Sequence, residues 1–247
     1  MKVLIKSALK GIGYQIKKYR GEDIPRLKIM AHFDIDKLLD VGANIGQYSL
    51  EMRELGFKEE IISFEPLRAA YEQLKKVAKK DKNWVVNNYA LGNENVESFI
   101  NVSANSMSSS ILNMLPEHIK SAPESEYVAK ECIEIKKLDS VFELFFKEGD
   151  NIMLKIDTQG FERNVILGAE NVLNKIRIIQ LEMSVVPLYE NEILFIDMIN
   201  FLDSKGFELF SLENGFSDIK TGRLLQLDGI FVNKKIAEQL SNSIYKK

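Results

Sequence analysis

The chain has 247 residues, is 45% hydrophobic and carries a formal net charge of −3. This length and apolar content can bury one large core, so a single main domain is expected, and the near balance of charge excludes an overall basic footprint for nucleic acid. The one cysteine, Cys132, excludes an internal disulfide, and no apolar run reaches the roughly 18–20 residues needed to span a bilayer.

Residues 1–30 read as a basic arm ahead of a domain over 31–247. Lys2, Lys6, Lys10, Lys17, Lys18 and Arg20 meet no acidic residue before Glu22. Ile5, Ala8, Leu9, Ile12, Ile16 and Tyr19 fall on one helical face, with Lys2, Lys6, Lys10 and Lys17 beside it. Packing on the chain's own domain or on a second subunit is the first reading of that face. Peripheral contact with an anionic membrane through residues 1–20 is the second. Gly11 and Gly13 count against a continuous helix, and Pro25 closes the arm. Without the apolar core and cleavage site of a signal peptide, the expected location is the cytoplasm, with any membrane contact at its inner face.

Leu38–Val41 is a short apolar strand, and Gln47–Leu55 a helix stopped by Gly56. A second strand, Ile61–Phe64, ends in Glu65. The helix Leu67–Lys80 and a third strand from Trp84 to about Asn88-Tyr89-Ala90 follow. This alternation predicts a parallel sheet with right-handed crossovers. The rhythm breaks over 91–150, where two β-like runs, Val96–Val102 and Cys132–Leu138, flank a polar stretch containing Ser106, Ser108, Ser109, Ser110 and His118. Such an insertion, about 93–138, reads as a lid or binding loop. Val141–Phe146 reads as a short helix. The rhythm resumes with the strand Ile152–Ile156 ending in Asp157, the helix Phe161–Leu173, the strand Ile176–Leu181 ending in Glu182, and the helix Asn191–Ser204. Phe207–Leu212 and Gly229–Val232 are joined by a loop and so predict an antiparallel pair.

The turn Asp40-x-Gly42-x-Asn44-x-Gly46 joins a strand to a helix N-terminus, where free N–H groups face a ligand. Glu65, ending the next strand, is placed to accept hydrogen bonds from a ribose diol. Two adenosine cofactors suit this pairing, a nicotinamide dinucleotide and S-adenosylmethionine. The G-x-G-x-x-G spacing of the first is not met. Asn44 stands where a middle glycine would, a mild exchange because Asn tolerates left-handed backbone. Gly42, Ala43 and Gly46 are expected to present backbone to the cofactor, and Asn44, Gln47 and Tyr48 to reach its carboxylate or ammonium. Asn88 and Tyr89 are placed to flank the adenine. Asp40, Pro66 and Ala90 adjoin these positions and complete the candidate set.

A set of words recurs in order: Asp40-Val41-Gly42-Ala43-Asn44-Ile45-Gly46-Gln47, Phe64-Glu65-Pro66, Ala90-Leu91-Gly92, Leu138-Asp139, Leu154-Lys155-Ile156-Asp157-Thr158-Gln159-Gly160-Phe161-Glu162 and Leu181-Glu182. From about residue 37 to 234 the chain resembles the FkbM family of methyltransferases. Thr158-Gln159 stands where that family commonly has Val-Glu or Val-Gln. The resemblance implies an α/β, class I methyltransferase (Rossmann-like) three-layer sandwich. Its sheet would be seven-stranded and mostly parallel, with a terminal antiparallel hairpin and a lid insertion. It also implies methyl transfer from S-adenosylmethionine to a hydroxyl of a sugar, glycan precursor or secondary metabolite. The expected partner is thus a hydroxylated small molecule or glycan, and no nucleic acid. Two rivals are a nicotinamide-dependent Rossmann oxidoreductase and a non-catalytic S-adenosylmethionine-binding scaffold.

An alcohol needs help to lose its proton. Asp157, Glu162 and Glu182 are placed to gather at one end of the sheet. Asp157 as direct base is the first reading, and a divalent cation such as Mg²⁺ held by Asp157 and Glu182 is the second. In a third, Glu162 stabilises its helix start and Glu182 orients a loop. His118, in the insertion, is the other candidate base, against the plainer reading of a solvated loop histidine. Tyr127, Tyr189 and Phe216 are candidate platforms for a sugar ring.

Overall fold

The structure is a computed structural model and describes residues 24–244. The expectations for residues 1–20 lie outside the described residues. Pro25 opens the first described helix, α1 (Pro25–His32), where its fixed φ suits the first turn. There follow β1 (Lys37–Val41), α2 (Gln47–Glu54), β2 (Glu60–Phe64), α3 (Arg68–Ala78), β3 (Trp84–Asn87), β4 (Ala90–Leu91) and β5 (Val96–Ser103). Next come α4 (Pro116–Ser121), β6 (Tyr127–Lys136), α5 (Leu138–Val141), β7 (Ile152–Ile156), α6 (Glu162–Leu167) and β8 (Ile176–Ser184). The chain closes with α7 (Phe195–Ser204), β9 (Phe207–Asn214), β10 (Gln226–Asn233) and α8 (Lys234–Ile244).

The main sheet is seven-stranded, in the order β3-β2-β1-β7-β8-β10-β9. The first five strands in that order are parallel, and β10 runs antiparallel to both β8 and β9. This is the expected class I methyltransferase sheet with its antiparallel end. Side chains alternate between two cores, as the strand period of two requires. Leu39, Val41, Leu154 and Ile156 meet α5, α6 and α7 on one face, while Leu38, Met153 and Ile178 meet α1, α2 and α3 on the other. Strands covered on both faces are apolar throughout, and every residue of β1 and β7 is buried. The order reverses between β1 and β7, which is where ligands bind in open α/β sheets.

The insertion is more than a loop. β5 and β6 pair antiparallel, and with β4 they form a second, three-stranded sheet. Ile100, Ile133 and Ile135 on its inner face pack against Leu67 and Ala70. Only the segment between β5 and β6 is left to cover the sheet's end. Several helices differ from expectation. Phe161–Leu173 shortens to α6 because Gly168 lies on Gly92: a Cβ there would meet the Gly92 carbonyl oxygen at 1.8 Å. Asn191–Ser204 begins later, at Phe195, after Asn191 takes φ +60°. Val141–Phe146 becomes α5 and a single 3₁₀ turn. Helix α8, which no periodicity argument above anticipated, lays Ile236 and Ala237 on the α1 side.

Candidate active site

Gly42, Asn44 and Gly46 all have positive φ, at +76°, +48° and +95°. The two glycines serve packing as much as any ligand. A Cβ on Gly42 would lie 1.8 Å from the Asp157 carbonyl oxygen, so the turn after β1 sits directly on the turn after β7. A Cβ on Gly46 would meet Leu74 at 2.9 Å and Trp84 at 3.1 Å. Gly42→Ala is expected to cost about 2–4 kcal/mol, from left-handed strain plus overpacking against backbone. Urea unfolding measures it, and a loss below about 0.5 kcal/mol would contradict this packing.

A cavity of about 380 Å³ opens between this turn, the ends of β2 and β7, and the insertion. Gly42, Ala43, Asn44, Gln47, Tyr48, Glu65, Pro66, Ala90 and Asp157 line it. Glu65, 4% exposed, accepts the Asn44 N–H on Oε2 and the Leu67 N–H on Oε1, each at 2.8 Å. Burial pushes this carboxyl up to about 7 despite the two N–H donors. Beside it Leu67, Leu91 and Ile100 make an apolar wall.

The other end of the cavity has a charged floor that sequence reasoning missed. Lys155 Nζ lies 3.2 Å from Asp40 Oδ1, 3.5 Å from Asp157 Oδ2 and 5.1 Å from the Tyr48 ring centroid. Burial alone would lower the Lys155 ammonium, but Asp40 and Asp157 outweigh it and hold it above its ordinary value. Tyr48 donates to Gln180 Oε1 at 2.7 Å, and burial raises its phenol. Lys155, Gln180 and Asp228 all line the floor. A lysine inside the buried strand Met153-Leu154-Lys155-Ile156 was the available signal, since strand alternation puts Lys155 on the face of Met153 and Asp40 on that of Leu38.

Several expected contacts are corrected. Asp40 is fully buried and does not reach the cavity; it accepts the Ser49 hydroxyl at 2.7 Å and pairs with Lys155. Gly46 packs on α3. Asn88 is exposed, off the cavity, and its amide donates to the Glu65 and Pro66 carbonyls. Tyr89 packs on Phe64 instead of lining the site. Helix α4 turns His118 inward, where it is 3% exposed between the rings of Tyr189 and Phe216, with Nδ1 unbonded. Burial lowers its imidazole below the usual value. The sugar-platform candidates are used as well: Tyr189 is buried, Tyr127 donates to the Leu112 carbonyl, and Phe216 covers His118.

The three carboxylates divide their work. Asp157 lines the cavity with its side chain 39% exposed. Glu162, behind it, accepts the Thr158 N–H, the Thr158 hydroxyl and the Gly160 N–H, so it holds the turn after β7. Burial pushes Glu162 up to about 7. Glu182 lies deeper. It accepts the amides of Gln159 and Gln226 at 3.0 and 2.7 Å, and burial together with Asp157, Asp228 and Glu162 raises its carboxyl well above its usual range. Asp157 and Glu182 are thus joined through an amide. Among the described residues no three His, Cys, Asp or Glu side chains converge as a metal-binding group. Asp157 Oδ1 and Glu182 Oε2, on the two carboxylates named for Mg²⁺, both accept the Gln159 amide, so this donor set does not fit that reading. No described helix is long and apolar enough to cross a membrane.

The segment after β5 roofs the cavity and is tied on both sides. Asn44 Nδ2 donates to Ser106 Oγ at 3.3 Å, and Ser110 Oγ donates to the Gln159 carbonyl at 2.6 Å. Ser106, Met107 and Ser109 face the cavity from this roof.

A sequence profile described as the methyltransferase FkbM domain matches residues 40–209, more than half of the chain. No curated protein sequence matches it. Among solved structures, fibrillarin from Aeropyrum pernix in complex with natively bound S-adenosyl-L-methionine is similar at 13% identity and a TM-score of 0.45, over 80% of this chain and 66% of that one. An rRNA methylase from Streptococcus thermophilus is similar at 8% identity and a TM-score of 0.45, over 89% of this chain and 99% of that one.

Proposed function

Because the chain belongs to the FkbM methyltransferase family, we propose that it moves the methyl group of S-adenosylmethionine to a hydroxyl oxygen of a small hydroxylated acceptor, a sugar or glycan precursor first. The observation that carries the cofactor is Glu65. Its two oxygens are oriented by backbone N–H groups at the cavity wall, beside an apolar slot. Ribose hydroxyls can donate to that carboxylate, and Leu67, Leu91 and Ile100 suit an adenine face. Ala43, Gln47 and Tyr48 stand toward the amino-acid end. S-adenosylmethionine, when bound, supplies an electrophilic methyl carbon.

The protein's own part is to exclude water, align the acceptor and take its proton. Asp157 is the cavity-lining carboxylate of the three candidates, which supports it as the base, receiving the hydroxyl proton on Oδ2. Lys155 stays cationic beneath it and balances part of the negative floor. The side chains around this end (Gln180, Asp228, Gln47, Ser109) are hydrogen-bonding groups suited to a polyhydroxylated acceptor.

Isothermal titration with S-adenosylhomocysteine tests the cofactor reading, with NAD as the parallel ligand. Transfer of a tritiated methyl group to a panel of sugars and glycosides tests the acceptor. Micromolar binding of the first ligand alone is expected; binding of neither overturns the reading. The affinity is also expected to depend on pH. Glu65 is half ionised near pH 7 in the free protein, and the ribose hydroxyls favour its ionised form. Affinity should therefore rise about tenfold from pH 6 to pH 8, following the ionised fraction. Glu65→Gln should flatten that profile, and a wild-type profile that is already flat would remove Glu65 from the site.

A further inference from the structure

The turn after β7 contains a residue whose side-chain amide is bonded through both its nitrogen and its oxygen at the site. Gln159 Nε2 lies 2.8 Å from Asp157 Oδ1 and 3.0 Å from Glu182 Oε2, so its two N–H groups go to two different carboxylates. Its Oε1 accepts the Tyr189 hydroxyl at 2.6 Å. The amide presents its nitrogen to both carboxylates, and the Tyr189 hydroxyl closes the opposite, carbonyl end. We propose that Gln159, oriented by Tyr189, is a positioning residue that clamps Asp157 to Glu182 by one oxygen and leaves the other Asp157 oxygen facing the cavity. The functional sense of this clamp rests on the reading of Asp157 as the base.

The charges around Asp157 explain why a neutral clamp suits this place. Lys155 faces it from β7 at 3.5 Å, with Asp40 of β1 behind the ammonium. Glu162 of α6, Glu182 of β8 and Asp228 of β10 all interact with its charge. A second cation in place of Gln159 would hold Asp157 strongly as the anion and weaken it as a proton acceptor. A further acid would drive the carboxylates apart. An amide fixes geometry without adding charge.

The backbone here is held independently of that amide. Gln159 sits at φ +55° and Gly160 at φ +97°, a left-handed pair that costs energy and persists where its surroundings hold it. Ser110 Oγ donates to the Gln159 carbonyl, and Glu162 gathers the Thr158 and Gly160 N–H groups. A Cβ on Gly160 would lie 3.0 Å from Tyr189 Cβ, so the turn is seated on Tyr189. Gln159→Met, similar in length, therefore removes the amide and keeps the turn. Tyr189→Phe removes only the hydroxyl.

The test is the ¹⁵N spectrum of the Gln159 side-chain NH₂ in the full chain, assigned by its loss in Gln159→Met. In the wild type the pair should exchange with solvent about tenfold more slowly than a free amide, the equivalent of one hydrogen bond. It should also shift with pH as Glu182, whose carboxyl is raised by burial and neighbouring acids, takes up its proton, a response that mere packing would not produce. Tyr189→Phe should lose most of the protection and of the pH response. A wild-type pair that exchanges freely overturns the clamp, and unchanged behaviour in Tyr189→Phe removes Tyr189 from it. Titration with S-adenosylhomocysteine separates the two readings. A protected, pH-responsive pair without ligand binding keeps the clamp and removes the cofactor site; binding with an unprotected pair removes the clamp alone.

Discussion

Asp157→Asn is expected to leave S-adenosylhomocysteine affinity within about threefold of the wild type and to lower methyl transfer by about 10²–10⁴, the range of a lost general base. Asparagine has nearly the same shape, and its carbonyl oxygen can still accept the Gln159 amide that now holds Oδ1. What it cannot do is take a proton on the atom that replaces Oδ2. The prediction separates chemistry from binding because Glu65 and the apolar slot lie toward the other end of the cavity and are untouched. Single-turnover transfer to an acceptor from the sugar panel, run beside calorimetry on the same preparation, is the measurement. Near-normal transfer would reject Asp157 as the base. Near-normal transfer with weakened binding would move it to the cofactor's amino-acid end.

Lys155→Met should destabilise the fold by about 3–5 kcal/mol, a large share of a typical domain's stability. The ammonium is 7% exposed and its partner Asp40 is completely buried, so removing the lysine leaves a carboxylate at the centre of the sheet with only the Ser49 hydroxyl. The cost comes from the stranded partner rather than from the worth of the pair. Asp40→Asn combined with Lys155→Met should therefore recover most of the loss, since both charges then leave together. Urea unfolding of the two single variants and the double one measures the coupling. Additive losses would mean that Asp40 and Lys155 do not act as a pair, and that Lys155 contributes through Tyr48 and Asp157 instead.

What could be read along the chain was what short-range geometry controls. Strand, turn and helix at Leu38–Leu55, and the acid at the end of β2, follow from local periodicity and from glycine at positions of positive φ. The wall formed by Gly42, Ala43, Asn44 and Glu65 was legible for that reason. The mostly parallel sheet with its antiparallel end was legible too, because alternating strands and helices imply right-handed parallel crossovers and the last two strands are joined by a loop. The two β-like runs of the insertion were legible as well, but not how they pair. The β5–β6 pairing joins residues some 30 positions apart, and a run of polar residues between two strands reads as a loop whether or not the strands pair.

Tertiary structure alone decided which polar residues share the site. Asp40, Lys155 and Gln180 lie side by side because β1, β7 and β8 are parallel neighbours in register. Nothing within any one of those segments shows that Asp40 pairs with Lys155 away from the cavity. His118 and Asn88 were misplaced because a residue type suggests chemistry, whereas helix α4 and the Glu65 and Pro66 carbonyls determine where those side chains point. The amino-acid sequence by itself determined the family, the sheet and the cavity-lining turn, all carried by contiguous words. The floor of Lys155, Gln180 and Asp228, and the Tyr189–Gln159–Asp157 chain, were decided only when distant strand ends met, because hydrogen bonds and ion pairs depend on distances that no local pattern encodes.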